Sequence, residues 1–251
     1  MEELEQALLY LIGYGNPADA KYFFFAREEN SDLIKDKDDD LKKERIKYYK
    51  ECNKNKLNDF YAINCSHMYS VLPPDIKYKD IKKGKGSKLY QCYYNIYKLI
   101  SGSEIEFDNF INILGSEQLN ALFFGNLDFT PRPMSNHRYK KDTLIEKFAN
   151  DNCQRRDDIL ELFFQKYVFE NPEKIVICFG FPPHGKFLDN LGEEKNDKWE
   201  VLKTTIIKTD KEITLKRNKT YKNIFWTYHP AYGWLPEAQQ KDFANIIKMN
   251  M

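Results

Sequence analysis

The stretch IFWTYHPAY, residues 224–232, is the strongest indication of the fold of this chain. The residues before His229 are mostly β-branched or aromatic, as in β-strands, and Pro230 cannot donate the next strand hydrogen bond. The stretch therefore predicts a strand that ends at an imidazole. Because ligands of open α/β sheets bind outside the carboxyl ends of the strands, His229 is the first candidate for a functional residue.

Three earlier segments share this pattern of an apolar run that breaks into polar residues or glycine. Runs that are apolar throughout are typical of parallel strands buried on both faces. The segments are residues 22–26 (YFFFA), which lead into Arg27-Glu28-Glu29-Asn30, residues 121–125 (ALFFG), which lead into Asn126, and residues 175–179 (IVICF), which lead into Gly180.

Amphipathic segments around these strands predict helices, and Gly13 and Gly15 are expected to end the first of them. Strands that alternate with helices predict a three-layer α/β/α sandwich with a mainly parallel central sheet. We expect one domain over residues 1–251, with a helical and irregular insertion around residues 31–119. The predicted helices cover residues 2–12, 38–52, 88–100 and 155–169 and a terminal segment after Pro236, and residues 201–208 and 213–217 are expected to form an edge hairpin.

The composition limits the classes of function. The 251 residues carry a formal net charge of +1, which excludes a globally basic DNA-packaging protein but allows a local basic groove. No apolar run approaches the ~20 residues needed to cross a bilayer. The amino terminus is acidic, where a signal peptide would be basic. We therefore expect a cytoplasmic protein with no membrane partner, and we expect it to act as a monomer.

The five cysteines are scattered along the chain, whereas metal and iron–sulfur sites usually contain closely spaced pairs. We therefore expect reduced thiols, no metal site and no cofactor. The first strand also lacks a glycine-rich phosphate loop at its end, which argues against a small-molecule nucleotide enzyme.

An acidic residue, a carboxamide and an imidazole follow three strands that are expected to end at the same edge of the sheet. Glu28 or Glu29 can position a water or stabilise a cation, Asn126 can bind a hydrogen-bonding edge, and His229 can hold a developing anion. Each residue also has a simpler alternative. The histidine can bond to the backbone, the glutamates can be solvated, and the asparagine can cap a turn.

In their order and strand context, these motifs resemble the uracil-DNA glycosylase superfamily. The resemblance implies the fold of that superfamily and a monofunctional DNA glycosylase, which flips a pyrimidine nucleotide out of double- or single-stranded DNA and leaves an abasic site. The counterparts in this chain are Ala26-Arg27-Glu28-Glu29-Asn30 after the first strand, Gly125-Asn126 with Arg132-Pro133 after the second, Gly180 after the third and His229-Pro230 after the last.

The resemblance also implies a role for each residue. Glu28 would orient the attacking water and offset the cationic sugar, with Glu29 as its substitute. His229 would donate a hydrogen bond to O2 of the departing base. Asn126 would bind the Watson–Crick edge of the base, as a carboxamide can, and Asn30 is a second candidate for base binding.

Residues near these motifs are candidates for DNA binding. Trp234 and Leu235, beyond His229, are placed to fill the stack that the flipped base leaves, as apolar side chains do in other DNA-distorting proteins. Trp234 can alternatively be packed, and basic runs are often solvated loops. The other candidates, from the same loop or from basic runs suited to phosphate contacts, are Tyr232, Lys83, Lys85 and Arg138.

The first motif departs from the family pattern. That motif usually begins with Gly and contains Pro, whereas this chain has Ala26 and Glu29, and Glu28 is one methylene longer than the usual Asp. The segment between Asn30 and Leu119 contains no obvious match to the family's base-stacking Phe. These departures favour a modified base, such as the glucosylated hydroxymethylcytosine that phage-defence members of the superfamily remove, over uracil. Uracil repair and a catalytically silent DNA-binding module on the same fold are the alternatives.

Overall fold

The computed structural model describes residues 9, 12–14, 17–26, 88–107, 110, 121–127, 144–180, 187–188, 191, 198–206, 212–228 and 235–251. Within these ranges the strands are β1 (Gly13–Tyr14), β2 (Tyr22–Ala26), β3 (Leu122–Asn126), β4 (Ile175–Phe179), β5 (Trp199–Ile206), β6 (Glu212–Asn218) and β7 (Ile224–Thr227). The helices are α1 (Lys88–Ser101), α2 (Leu144–Phe164) and α3 (Glu237–Met249), and a π-helical turn, Gln165–Phe169, continues α2.

The strands form one mixed sheet in the order β1-β3-β2-β4-β7-β6-β5. The neighbouring strands β3, β2, β4 and β7 are parallel, whereas β1, β6 and β5 pair antiparallel. These four parallel strands are the four apolar segments that the sequence pattern singles out. The prediction of an α/β fold with a mainly parallel central sheet is therefore confirmed.

Strand β2 lies between the parallel strands β3 and β4, and all five of its residues are buried. Phe23 and Phe25 lie on the face covered by α2, where both rings pack edge-on against Phe163. Phe24 lies on the opposite face and packs against Tyr93 of α1. An apolar side chain is needed at every position of this strand because helices cover both of its faces.

The described helices are divided between the two faces of the sheet. Helices α1 and α3 pack on the face that carries Phe24 and Phe225, and α2 packs on the face that carries Phe23 and Trp226. Burial of each large apolar side chain stabilises the fold by about 1.5–3 kcal/mol. Each face of the sheet therefore has its own apolar core. The buried side chains of the parallel strands point into one or the other of these two cores.

Two glycines allow a close approach between β1 and β3. Gly13 pairs with Gly125. A Cβ on Gly13 would overlap the backbone of Phe124, and a Cβ on Gly125 would overlap the ring of Phe25. Strand β1 can therefore join the sheet because residue 13 has no side chain. The expectation that Gly13 only ends a helix misses this pairing, since a two-residue strand has no sequence period.

Helix α2 begins before the predicted start. The apolar spacing predicts a helix over residues 155–169, whereas the observed helix is Leu144–Phe164, followed by the π-helical turn. The additional turns contain Asn150 and Asn152, a residue type that favours turns and caps over helix interiors. Phe148 of these turns packs against the α2 face of the sheet, and this tertiary contact outweighs the weak helix propensity.

The amino edge of the sheet is closed by polar side chains that bond to the backbone. Lys174, just before β4, donates from Nζ to the carbonyl oxygens of Pro17 at 2.8 Å and Ala18 at 3.0 Å. Burial lowers the pKa of this ammonium group. Asn223, just before β7, donates from Nδ2 to the Lys174 carbonyl oxygen at 2.8 Å. Because these donors satisfy backbone carbonyls, we assign structural roles to both side chains.

The predicted edge hairpin is confirmed as β5 and β6. Strand β6 pairs with β7 as far as Lys216, which lies opposite Trp226. Beyond this pair, β5 and β6 continue to pair with each other out to Ile206 opposite Glu212. Because β6 is antiparallel to β7, this outer part of the hairpin lies past the carboxyl end of β7. At ~3.4 Å per residue, the hairpin extends about 10 Å beyond Thr227.

Candidate functional site

The carboxyl ends of β3, β2, β4 and β7 lie side by side at one edge of the sheet. Asn126 is paired with Ala26, and further along the same edge Phe179 is paired with Thr227. Neighbouring strands are ~4.8 Å apart, so the four ends span about 14 Å.

The predicted acid and imidazole follow these strand ends closely in the chain. Glu28 is two residues beyond Ala26, and His229 is two residues beyond Thr227. For Asn126 the structure describes the backbone, at the last position of β3. The predicted residues that lie outside the described ranges are Glu28, Glu29, Asn30, Lys83, Lys85, Arg138, His229, Tyr232 and Trp234.

The strand order places a topological switch point between β2 and β4. From β2 the chain continues to β3 on one side, whereas from β4 it continues through β5 and β6 to β7 on the other side. In open α/β sheets, ligands bind in the crevice where the connections diverge in this way. Gly180 follows β4 at this crevice and donates its backbone N–H to the Thr227 carbonyl oxygen at 3.1 Å.

Thr227 is a candidate that the sequence analysis does not single out. Its side chain is buried, and its Oγ1 has no hydrogen-bond partner within the described part of the chain. A buried hydroxyl left unsatisfied costs about 1–3 kcal/mol. This edge thus differs from the amino edge, where Lys174 and Asn223 are satisfied. The sequence signal was a polar residue inside the apolar run that precedes His229.

Cys178 lies directly below the edge but is unsuited to chemistry. It is fully buried between β2 and β7, and this burial raises the pKa of its thiol well above the usual range. The thiol therefore stays neutral, whereas nucleophiles and metal ligands need the thiolate. Cys92 is also buried with a raised thiol pKa, while Cys153 is exposed, and all three are free.

The structure assigns Leu235 to the core instead of a DNA wedge. Its side chain is 1% exposed and belongs to the cluster that contains Phe243 and Ile247 of α3. A side chain held there is not free to enter a base stack. The apolar residue after a functional loop was expected to be a wedge, and the packing of α3 against the sheet explains why it is not.

Gln240 holds the backbone of Leu235, the first described residue after His229, in place. This buried side chain donates from Nε2 to the Leu235 carbonyl oxygen at 2.7 Å. Its Oε1 accepts a hydrogen bond from Nδ2 of Asn95 on α1 at 2.8 Å. The end of the loop is therefore tied to two helices by one carboxamide.

We expect Gln240→Leu to lower the free energy of unfolding by about 1–3 kcal/mol, because Asn95 and the Leu235 carbonyl would lose their partner. The control is Gln239→Leu. The Oε1 of Gln239 is buried with no hydrogen-bond partner among the described residues, so its removal should cost less than about 0.5 kcal/mol. Urea denaturation followed by circular dichroism measures both variants. Equal losses would contradict a specific role for the Gln240 hydrogen bonds.

A second imidazole also follows the sheet edge in sequence. His184 lies in the segment Phe181-Pro182-Pro183-His184 after Gly180, outside the described ranges, and its position after a strand end was the signal that could have marked it. Within the described ranges, no group of three or more His, Cys, Asp or Glu residues could hold a metal ion. None of the helices described is both long and apolar enough to span a membrane.

Comparisons of this chain with protein-family models, with curated proteins and with solved structures gave no match.

Proposed function

We propose that this protein is a DNA glycosylase with the three-layer α/β/α fold of the uracil-DNA glycosylase superfamily. It would flip a pyrimidine nucleotide out of DNA and hydrolyse the N-glycosidic bond to leave an abasic site. The observation that supports this most is the strand order, because the four segments that resemble the superfamily motifs are neighbouring parallel strands. The carboxyl ends of these strands lie at one edge of the sheet, and the switch point lies between β2 and β4.

The proposed reaction is hydrolysis at C1′ of the flipped nucleotide. The bond between C1′ and the base breaks with its electron pair going to the base, and the sugar becomes an oxocarbenium ion. Glu28, which follows β2 in the sequence, offsets this positive charge and accepts a proton from the water that adds to C1′. Glu29 is the substitute acid. His229 donates a hydrogen bond to O2 of the departing base, where negative charge collects.

The polar residues of the same edge would recognise the base. Asn126 bonds the Watson–Crick edge of the flipped base, and Asn30 is the second candidate from the β2 motif. The buried Oγ1 of Thr227 adds a hydroxyl at the end of β7 that can donate or accept a hydrogen bond. Together these groups offer both hydrogen-bond donors and acceptors. They can therefore bond a pyrimidine whose exocyclic groups are donors or acceptors.

The proposed base is a modified cytosine, such as glucosylated hydroxymethylcytosine in phage DNA. This choice is supported by Glu28, whose extra methylene moves the water, and by the long segment between β2 and β3, which is available to widen the pocket. Phosphate contacts are assigned to Lys83, Lys85 and Arg138. With Leu235 in the core, the wedge role falls to Trp234, with Tyr232 beside it in the same loop.

A panel of substrates tests this proposal. The protein is incubated with DNA containing uracil, hydroxymethylcytosine or glucosylated hydroxymethylcytosine, as duplex and as single strand, and abasic sites are cleaved with alkali. We expect scission on the glucosylated substrate above the other two. Scission on uracil alone would assign the protein to uracil repair. No scission on any substrate, with DNA binding that survives Glu28→Ala and His229→Ala, would contradict glycosylase activity and favour a catalytically silent DNA-binding module.

A further inference from the structure

Thr227 is the exception among the buried polar side chains that the structure describes. It is 1% exposed, and its Oγ1 has no hydrogen-bond partner within the described ranges. Valine has the same branched shape and also favours strands, and it would avoid the cost of an unbonded hydroxyl. The other buried polar side chains of these ranges each donate a hydrogen bond to a backbone carbonyl, and they are Arg156, Lys174, Asn218, Asn223 and Gln240. The fold alone therefore gives no reason for a hydroxyl at position 227.

This hydroxyl lies at the carboxyl edge, on the face of the sheet that α1 and α3 cover. Thr227 is the last residue of β7 and pairs with Phe179, the last residue of β4. Phe225 belongs to the core on the face of α1 and α3, and side chains two residues apart on a strand share a face. Thr227 also comes two residues before His229 in the sequence. The unbonded Oγ1 is therefore held at the strand end that leads to the proposed site.

Helix α1 begins on the side of this same edge. Tyr97 of α1 packs against Tyr22 at the start of β2, with 5.5 Å between the ring centroids. Tyr93, one turn earlier, packs against Phe179 at the end of β4, with 5.4 Å between the centroids. The first turn of the helix therefore lies towards the carboxyl edge, and it contains no acidic residue. Because the N-terminal end of a helix favours negative charge, this side of the edge suits a group that becomes an anion.

We propose that Thr227 is a second hydrogen-bond donor to the departing base. Its Oγ1 donates to O2 of the base, beside the hydrogen bond from His229. The assignment deepens the proposed function and rests on it for the identity of the ligand. Negative charge collects on O2 as the bond to C1′ breaks, and a donor already held in place stabilises that charge most effectively. Because Oγ1 has no partner among the described residues, it loses no described hydrogen bond when it binds the base.

Thr227→Val and Thr227→Ser test this donor, because the first removes the hydroxyl and the second keeps it. Single-turnover base release should slow about 10- to 100-fold in Thr227→Val, the loss expected for one hydrogen bond to a charged group. It should slow less than about threefold in Thr227→Ser. The urea midpoint of Thr227→Val should equal or exceed that of the starting protein, because an unbonded buried hydroxyl is removed.

DNA binding gives a second measurement, which does not depend on base release. One labelled duplex carries a 2′-fluoro nucleotide of each panel base in turn, which resists cleavage and keeps its base, and the other carries a tetrahydrofuran abasic site. Thr227→Val should weaken binding to the base-containing duplex about fivefold, as expected for one lost hydrogen bond. Binding to the abasic duplex should change less than about twofold, because that duplex has no O2 to accept the bond.

Two outcomes would overturn the assignment. One is base release by Thr227→Val at the starting rate. The other is equal weakening on both duplexes with a lowered urea midpoint, which would make the hydroxyl part of the fold. Failure of the glycosylase proposal is distinct from these, because no base would be released from any substrate while binding to the base-containing duplex stayed sensitive to Thr227→Val. With no base released, equal binding effects on the two duplexes would overturn the donor as well.

Discussion

His229→Ala is expected to lower the rate of base release about 100- to 1,000-fold while leaving DNA affinity within about threefold of the starting protein. The imidazole follows β7, at the edge where the four parallel strands end. Its hydrogen bond to O2 strengthens as the base departs, so its loss raises the barrier to bond cleavage more than it weakens the bound state. Single-turnover release from the best substrate of the panel measures the change.

The matched control is His67→Ala, because His67 is far in sequence from the ends of all the strands that the structure describes. It should leave the rate within about twofold. Glu28→Gln should also lower the rate of base release. The rate of the double variant should fall by less than the product of the two single losses, because both residues act on one transition state. A His229→Ala protein that is folded and releases base at the original rate would rule out this role.

Phe163→Ala is expected to lower the free energy of unfolding by about 3–5 kcal/mol, the largest effect on stability that we predict. The ring is completely buried and packs against Phe23, Phe25 and Phe123 of the sheet. Removing it leaves a cavity between α2 and two parallel strands, which a tightly packed aromatic cluster cannot close. The midpoint of urea denaturation reports the loss.

Leu162→Ala is the control for this change. Leu162 precedes Phe163 on the same helix and is 51% exposed, so both substitutions place alanine in the same turn. Its truncation should cost less than about 1 kcal/mol. If both variants lost equal stability, helix propensity rather than the contact between α2 and the sheet would explain the result.

The parallel strands could be predicted because their signal is local. A run such as residues 22–26 is apolar at every position, and such a run is buried on both faces in almost any α/β arrangement. Strand order could not be predicted in the same way. The pairing of Tyr22 with Leu122 on one side and with Ile175 on the other depends on contacts between residues distant in the chain.

The position of Leu235 shows where local pattern stops being informative. An apolar residue after a functional loop is compatible with a wedge and with a core position. The packing of α3 against the sheet makes the choice, and this packing involves residues from distant parts of the chain. The residues of the candidate site were found because each follows a strand end, and this rule would also have marked His184. It passes over Thr227, the last residue of β7, because this residue comes before the histidine that marks the strand end in the sequence.

The pairing of β2 has a consequence for the protein while it is being made. β2 is the most aromatic strand of the sheet, and Tyr22 pairs with Ile175 of β4. At roughly 5–20 residues per second, the ribosome needs on the order of ten seconds to deliver β4 after β2 has been synthesised. Throughout that interval YFFFA lacks one flanking strand, so the nascent chain should depend on chaperones. When many chains are made at once, their unpaired strands meet each other, and we expect inclusion bodies.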